Sequence, residues 1–131
     1  MKNVLLTIFF GLLLTVSGCT PQNASTARQN LNAREAKELI ETKKEVVILD
    51  VRTPEEFHSG HVDGAINLDF YAPDFDQKLA NLDKETPYLI YCASGNRSGQ
   101  TTAKMEKQDF KNIYNSQAGF TELKSEGVPT K

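Results

Sequence analysis

Metal and disulfide chemistry have little to work with in this sequence. Its 131 residues include two cysteines, Cys19 and Cys92, and two histidines, His58 and His61. That supply builds neither a four-cysteine zinc site nor a disulfide framework, and the two histidines argue against a metal site without excluding one. Excess basic charge is missing too. Fifteen Lys and Arg face seventeen Asp and Glu, a formal net charge of −2. A nucleic-acid binder carries a basic footprint, so that class is set aside. No apolar run reaches the ~20 residues that span a bilayer; the one at Val4–Val16 has 13. The apolar share of 39% suffices for a core and is too small for a multi-span membrane protein. A chain of this length is expected to form one domain, since domains commonly run to ~100–150 residues.

What the N-terminus does have is an export pattern. A short positive start, Met1-Lys2-Asn3, precedes the 13-residue apolar run, and Ser17-Gly18 supplies small residues for cleavage. Residues 1–18 are read as a lipoprotein signal peptide, because Val16-Ser17-Gly18-Cys19 resembles a bacterial lipobox. The alternative is an ordinary signal peptide that happens to precede a cysteine. In the lipobox reading Cys19 is acylated, and each buried methylene contributes ~0.8 kcal/mol to membrane anchoring. The expected location is the cell envelope, lipid-anchored, on the periplasmic side if the cell is Gram-negative. Thr20 after the cysteine then points to the outer membrane. Residues 19–30 are read as the lipidated cysteine plus a flexible tether, since positions 20–30 hold no large apolar residue. Residues 31–131 are left as the folded domain.

Within that domain, strand and helix patterns alternate. Asn32 with Glu35 forms a capping-box pattern that opens a helix through about Thr42. Glu45 to Leu49 is an apolar, β-branched run ending at Asp50, as suits a buried parallel strand. Thr53-Pro54-Glu55-Glu56 reads as cap, first helical position and acidic first turn of a short helix ending by Gly60. Strands are predicted at 65–68, 88–91 and 112–114, and helices at 75–82, 98–108 and 120–125. Such alternation argues an α/β fold with a parallel sheet and right-handed crossovers.

Ligands of open parallel sheets sit beyond the carboxyl ends of the strands. Two strand ends here carry reactive groups: Asp50-Val51-Arg52, and Cys92-Ala93-Ser94-Gly95-Asn96-Arg97-Ser98. In the second, small and turn-forming residues join a strand to a helix. Such a loop can curl until several N–H groups converge, and the helix adds the positive end of its dipole. Arg97 adds a full charge. The product is an anion cradle around a thiol, which holds Cys92 below the ~8.5 of a free cysteine. Cys92 is therefore expected to be an ionised nucleophile open to small negative molecules. A buried core cysteine is the bland alternative, but it leaves the neighbouring Gly, Asn and Arg unexplained.

The stretch from Asp50-Val51-Arg52-Thr53-Pro54-Glu55-Glu56-Phe57 through His61-Val62-Asp63-Gly64-Ala65-Ile66-Asn67 resembles the rhodanese signature. Tyr91-Cys92-Ala93-Ser94-Gly95-Asn96-Arg97-Ser98 resembles the rhodanese active-site loop. The resemblance covers roughly residues 31–131. It implies an open five-stranded parallel sheet flanked by helices, and sulfur transfer from a small anionic donor such as thiosulfate through a persulfide. The same resemblance implies cyanide, a thiol or a thiol protein as acceptor, and no metal or organic cofactor. Carried onto this chain, Cys92 is the nucleophile, Ala93, Ser94, Gly95, Asn96 and Ser98 supply the cradle, and Arg97 binds the donor. Asp50, Arg52 and Glu56 are structural support, with Arg52 and Glu56 resembling the family's ion pair; Glu56 could instead close a capping box with Thr53. Cys-based phosphatases of related fold have one residue more between Cys and Arg than the four found here, so the shorter loop resembles the sulfurtransferases. A rhodanese-fold module that holds a persulfide or a partner protein without turnover is the rival reading.

Other residues receive structural roles. His61 falls in the family's Gly-His-x-x-Gly turn, although a general base is the tempting alternative, and His58 is read as solvated. Phe57, Phe70, Tyr71, Phe75 and Phe110 are read as core or rim rather than a cofactor box, with Tyr71 and Phe75 the candidates for the pocket mouth. Leu123 stands where relatives carry Trp, and Ala118-Gly119 where they carry Gly-Gly; both read as packing changes.

Overall fold

The computed structural model describes residues 27–131. The expectations for residues 1–18, Cys19 and positions 20–26 lie outside the described residues. The elements run β1 (Ala27–Leu31), α1 (Ala33–Thr42), β2 (Val47–Asp50), α2 (Pro54–His58), β3 (Ile66–Asn67), α3 (Phe75–Ala80), β4 (Tyr88–Tyr91), α4 (Asn96–Lys107), β5 (Asn112–Ser116) and α5 (Phe120–Ser125). They form one five-stranded sheet of order β1-β5-β4-β2-β3, and every named pairing is parallel. The expected α/β class and five-stranded parallel sheet are borne out.

The tether reading needs correction at its end. Ala27–Leu31 is an edge strand in register with Asn112–Ser116 of β5, so residues 27–30, read as tether, belong to the sheet. The sequence Ala-Arg-Gln-Asn-Leu is nearly all polar because an edge strand needs only backbone partners on one side. It carries no hydrophobic alternation to betray it.

The central strand β4 is buried along its whole length, as a parallel strand covered on both faces must be. Alternate residues face opposite layers. Ile48, Leu89, Tyr91 and Tyr114 join Ala36 and Leu39 of α1 and Leu123 of α5 on one face. Leu49, Tyr88, Ile90, Cys92 and Ile113 join Phe75 and Leu79 of α3 and Met105 of α4 on the other. Cys92 follows Tyr91 directly, so this alternation alone delivers its side chain to the α4 face. Two helix starts follow the expected chemistry: Asn32 and Thr53 each close a reciprocal capping box, with Glu35 and Glu56. Among the described residues no helix is long and apolar enough to cross a membrane.

Candidate active site

β2 and β4 are neighbours, with Asp50 level with Tyr91, and their connections leave toward opposite edges of the sheet. That is the switch point at which a crevice opens beyond the strand ends. Cys92 and the Asp50–Arg52 turn both stand there.

The Cys92 loop ends at Gly95, the N-cap of α4, with φ of +87°. A Cβ at Gly95 would also lie 2.8 Å from the Gln117 carbonyl oxygen. Both facts call for glycine. The cap has no side-chain hydrogen bond, so the first amides of α4 need another acceptor. The Cys92 sulfur supplies it. The Gly95 N–H donates to Sγ at 3.1 Å, and the thiol donates to Ser98 Oγ at 3.5 Å. Burial pushes the Cys92 thiol up, but the Ser98 hydroxyl and the N–H groups of Ser98, Ser94 and Gly95 outweigh it, and the net position is below the ordinary thiol value. Ser98 Oγ also lies 3.2 Å from the Gly95 carbonyl and 3.3 Å from that of Ser116. On ionisation its single hydrogen can swing from those carbonyls to the sulfur.

A pH prediction follows from the sign of this shift. A depressed thiol is already thiolate at pH values where a free cysteine is protonated. Alkylation of Cys92 by iodoacetamide should therefore rise with pH and level off below the range of free cysteine. Ser98→Ala removes a hydrogen bond to the charged form, worth about 1.5 kcal/mol. The variant's neutral-pH rate should fall about tenfold, with its inflection moved upward. An unmoved pH profile in the Ser98→Ala variant would show that the hydroxyl does not hold the thiolate.

Two expectations about the loop require correction. Cys92 is not open to solvent: its exposure is 0%, with exposed Ala93, Ser94 and Asn96 lying in the loop above. Nor is Arg97 free over the sulfur. α4 begins at Asn96, two residues earlier than expected, which puts Arg97 in its first turn. There Arg97 Nη1 and Nη2 donate to the two carboxylate oxygens of Glu56 at 2.7 and 2.9 Å. The Arg97 hydrogen bonds, joined by Thr53, hold the Glu56 carboxyl at about 2. That stabilising contribution is complete above the ordinary carboxylate range and is lost only as pH falls through about 2. The Tyr71 ring, 68% exposed, packs 5.6 Å from the Arg97 guanidinium carbon. Tyr71 is thus at the rim, whereas Phe75 belongs to the core.

The expected Arg52–Glu56 pair is not made either. Arg52 turns back two residues to Asp50, with Nη2 to Oδ2 at 2.6 Å and Nε to Oδ1 at 2.9 Å. Glu56 both caps Thr53 and binds Arg97. The Asp50–Arg52 pair is buried and further tied: Tyr91 donates its hydroxyl to Asp50 Oδ2 at 2.5 Å, and Arg52 Nη2 donates to the Gly60 carbonyl at 2.7 Å. Burial, then the hydrogen bond to Asp50, pushes the Tyr91 hydroxyl up. Buried charges need such paired partners. Asp50 and Arg52 are therefore framework beneath the site, as their supporting role anticipates.

Asn96 is exposed, and its side-chain oxygen accepts from Gln100. His61 Nδ1 lies 2.9 Å from the Phe57 carbonyl and its ring stacks on Phe57 at 3.7 Å, in keeping with the turn reading. Leu123 is fully buried. Gly119 has a role that sequence reasoning misses: a Cβ there would lie 1.7 Å from the Ala93 carbonyl oxygen. Gly119 therefore backs the Cys92 loop. The sequence signal for this is a glycine just past the end of β5. Two surface cavities, of about 420 and 410 Å³, lie beside α1 with Tyr114 and with Glu122, and Cys92 lines neither. Among the described residues no group of three or more His, Cys, Asp or Glu could hold a metal.

Comparisons with known proteins bear on this arrangement. The thiosulfate sulfurtransferase GlpE of Pseudomonas entomophila is 36% identical over 75 residues, covering 56% of this chain and 66% of that protein. The putative sulfurtransferase YtwF of Bacillus subtilis is 32% identical over 93 residues, 71% of this chain and 87% of that one. A rhodanese-related protein from Thermoplasma volcanium superposes with a TM-score of 0.67 at 26% identity, covering 79% of this chain and 97% of that one. A rhodanese-like domain from Anabaena gives 0.69 at 23% identity over 78% and 77%, a likeness of fold alone. The profile of the rhodanese-like domain matches residues 32–126. With the Cys92 loop at the head of α4 and a parallel five-stranded sheet behind it, the chain belongs to the rhodanese-like domain family.

Proposed function

We propose that this protein is a sulfurtransferase that carries sulfane sulfur as a Cys92 persulfide. The observation that carries the reading is the set of polar groups converging on one sulfur: the Gly95 and Ser98 amides, the Ser98 hydroxyl that accepts from the thiol, and the start of α4. With thiosulfate, Cys92 Sγ forms a bond to the outer sulfur, and the bond from that sulfur to the SO3 group breaks. The electron pair leaves with sulfite, and a Cys92 persulfide anion remains. Cyanide or a thiolate then takes the outer sulfur and returns the Cys92 thiolate. The same amides serve thiolate and persulfide, since each carries one negative charge. The buried sulfur requires the Ala93–Asn96 segment, in which Ala93, Ser94 and Asn96 are exposed, to yield first.

That burial also favours a second reading, a module that holds a persulfide or a partner protein without turning over small donors. Mass spectrometry of the purified domain after incubation with thiosulfate tests the first reading. One added sulfur on the Cys92 peptide is expected. An unmodified peptide, with thiosulfate and with persulfide donors alike, would remove it.

The proposed location is the cell envelope, through acylation of Cys19 after removal of residues 1–18. Positions 20–26 alone separate Cys19 from β1, a stretch that spans at most about 25 Å, so the domain would sit close to the membrane. In the full chain, Cys19→Ser should lose both lipid label and membrane retention. Retention by the variant would overturn the anchor.

A further inference from the structure

The loop's one full positive charge is not available to an incoming anion. Both terminal nitrogens of Arg97 are engaged by Glu56, and the guanidinium side chain is only 14% exposed. The other arginine near the strand ends, Arg52, is buried against Asp50. What faces the sulfur is neutral: amides and a hydroxyl. Repulsion from the thiolate grows with the donor's charge, and only amide dipoles and the start of α4 offset it here, so a dianion is penalised most, a monoanion less and a neutral donor not at all.

Resting on the sulfur-transfer reading above, we propose that Glu56 determines donor specificity. By neutralising Arg97 it tunes the site toward thiol-borne persulfides of low charge, and the thiosulfate dianion binds only by taking Arg97 from Glu56. With a persulfide R–S–SH, Cys92 Sγ bonds to the terminal sulfur, and the bond joining that sulfur to the R-bearing sulfur breaks. Its electron pair stays on the R-bearing sulfur, which takes the proton. A neutral thiol leaves, and the persulfide anion stays on Cys92. Neither step needs an oxidant, because sulfane sulfur is exchanged between thiols.

Glu56→Gln isolates the charge. The amide oxygen can still accept from the Thr53 N–H, so the start of α2 keeps its cap. Two probes of similar size, iodoacetate and iodoacetamide, differ in charge and report on entry to Cys92 without sulfur transfer. Glu56→Gln should raise the iodoacetate-to-iodoacetamide rate ratio by about tenfold, the order of one restored charge near the surface. The kcat/KM for thiosulfate should rise likewise relative to that for a small persulfide. In an Arg97→Gln background the same change should leave the ratio where it was. An unchanged or lowered ratio in Glu56→Gln alone would overturn the assignment and leave Glu56 as cap and brace. A raised ratio in a protein whose Cys92 accepts sulfur from no donor would uphold Glu56 as the control on anion entry while sinking the sulfur-transfer reading.

Discussion

Cys92→Ser chains should release sulfite from thiosulfate no faster than buffer, a loss of at least about a thousandfold relative to the intact protein. The reasoning turns on which proton the cradle can remove. Its donors sit around one atom and lower the thiol from an ordinary value that is already close to neutrality. A hydroxyl begins far higher, and the same handful of hydrogen bonds cannot ionise it. Serine is also smaller and accepts from the Gly95 amide well, so the loop should stay folded and the loss be one of chemistry. Far-ultraviolet circular dichroism checks the fold and a sulfite assay the rate. Equal rates in both proteins would end the enzyme reading. Background rates in both, with a persulfide on Cys92 from another donor, would transfer the case to the non-turnover module.

Gly119→Ala should disturb the Cys92 loop from outside it. Gly119 has φ of −79° and ψ of 174°, an extended conformation open to any residue, so the effect is one of contact alone. The added methyl would stand 1.7 Å from the Ala93 oxygen, 2.4 Å from its carbonyl carbon and 3.1 Å from the Ser94 nitrogen. The Ala93–Ser94 peptide must move, and with it the Ser94 N–H that helps hold the thiolate. Overpacking of this kind typically destabilises by about 1–3 kcal/mol. Iodoacetamide reactivity at neutral pH should change at the same time, since the loop's two functions share that peptide. Gly99→Ala is the matched control. Gly99 lies within α4 with open space at its Cβ position, and alanine there should stabilise by up to about 1 kcal/mol. Urea unfolding of the three proteins separates the cases; a Gly119→Ala chain as stable and reactive as the original would show that the contact relaxes freely.

Local pattern made most of the fold legible. Tyr88–Tyr91 and Val47–Leu49 are apolar runs because parallel strands are buried on both faces. Asn32 and Thr53 announce helices because their side chains meet amides three residues away. Cys92 was placed by the same logic, as the residue where a buried strand gives way to small turn formers. β1 escaped because an edge strand made of Arg, Gln and Asn is recognised by its neighbour's backbone and by no pattern of its own.

The sequence by itself determined the alternation of strands and helices, the loop of four residues between Cys92 and Arg97, and the amides that loop could aim at a thiol. These are short-range matters of turn chemistry and burial. Tertiary structure alone decided which carboxylate each arginine meets. Arg97 and Glu56 are 41 residues apart, and Arg52 has both Asp50, two residues back, and Glu56, four residues on, close along the chain. Charges choose partners by distance in space, and that distance exists only once β2 and β4 lie side by side. The same packing buried the sulfur and brought Gly119 against Ala93, contacts between elements that no window of sequence contains.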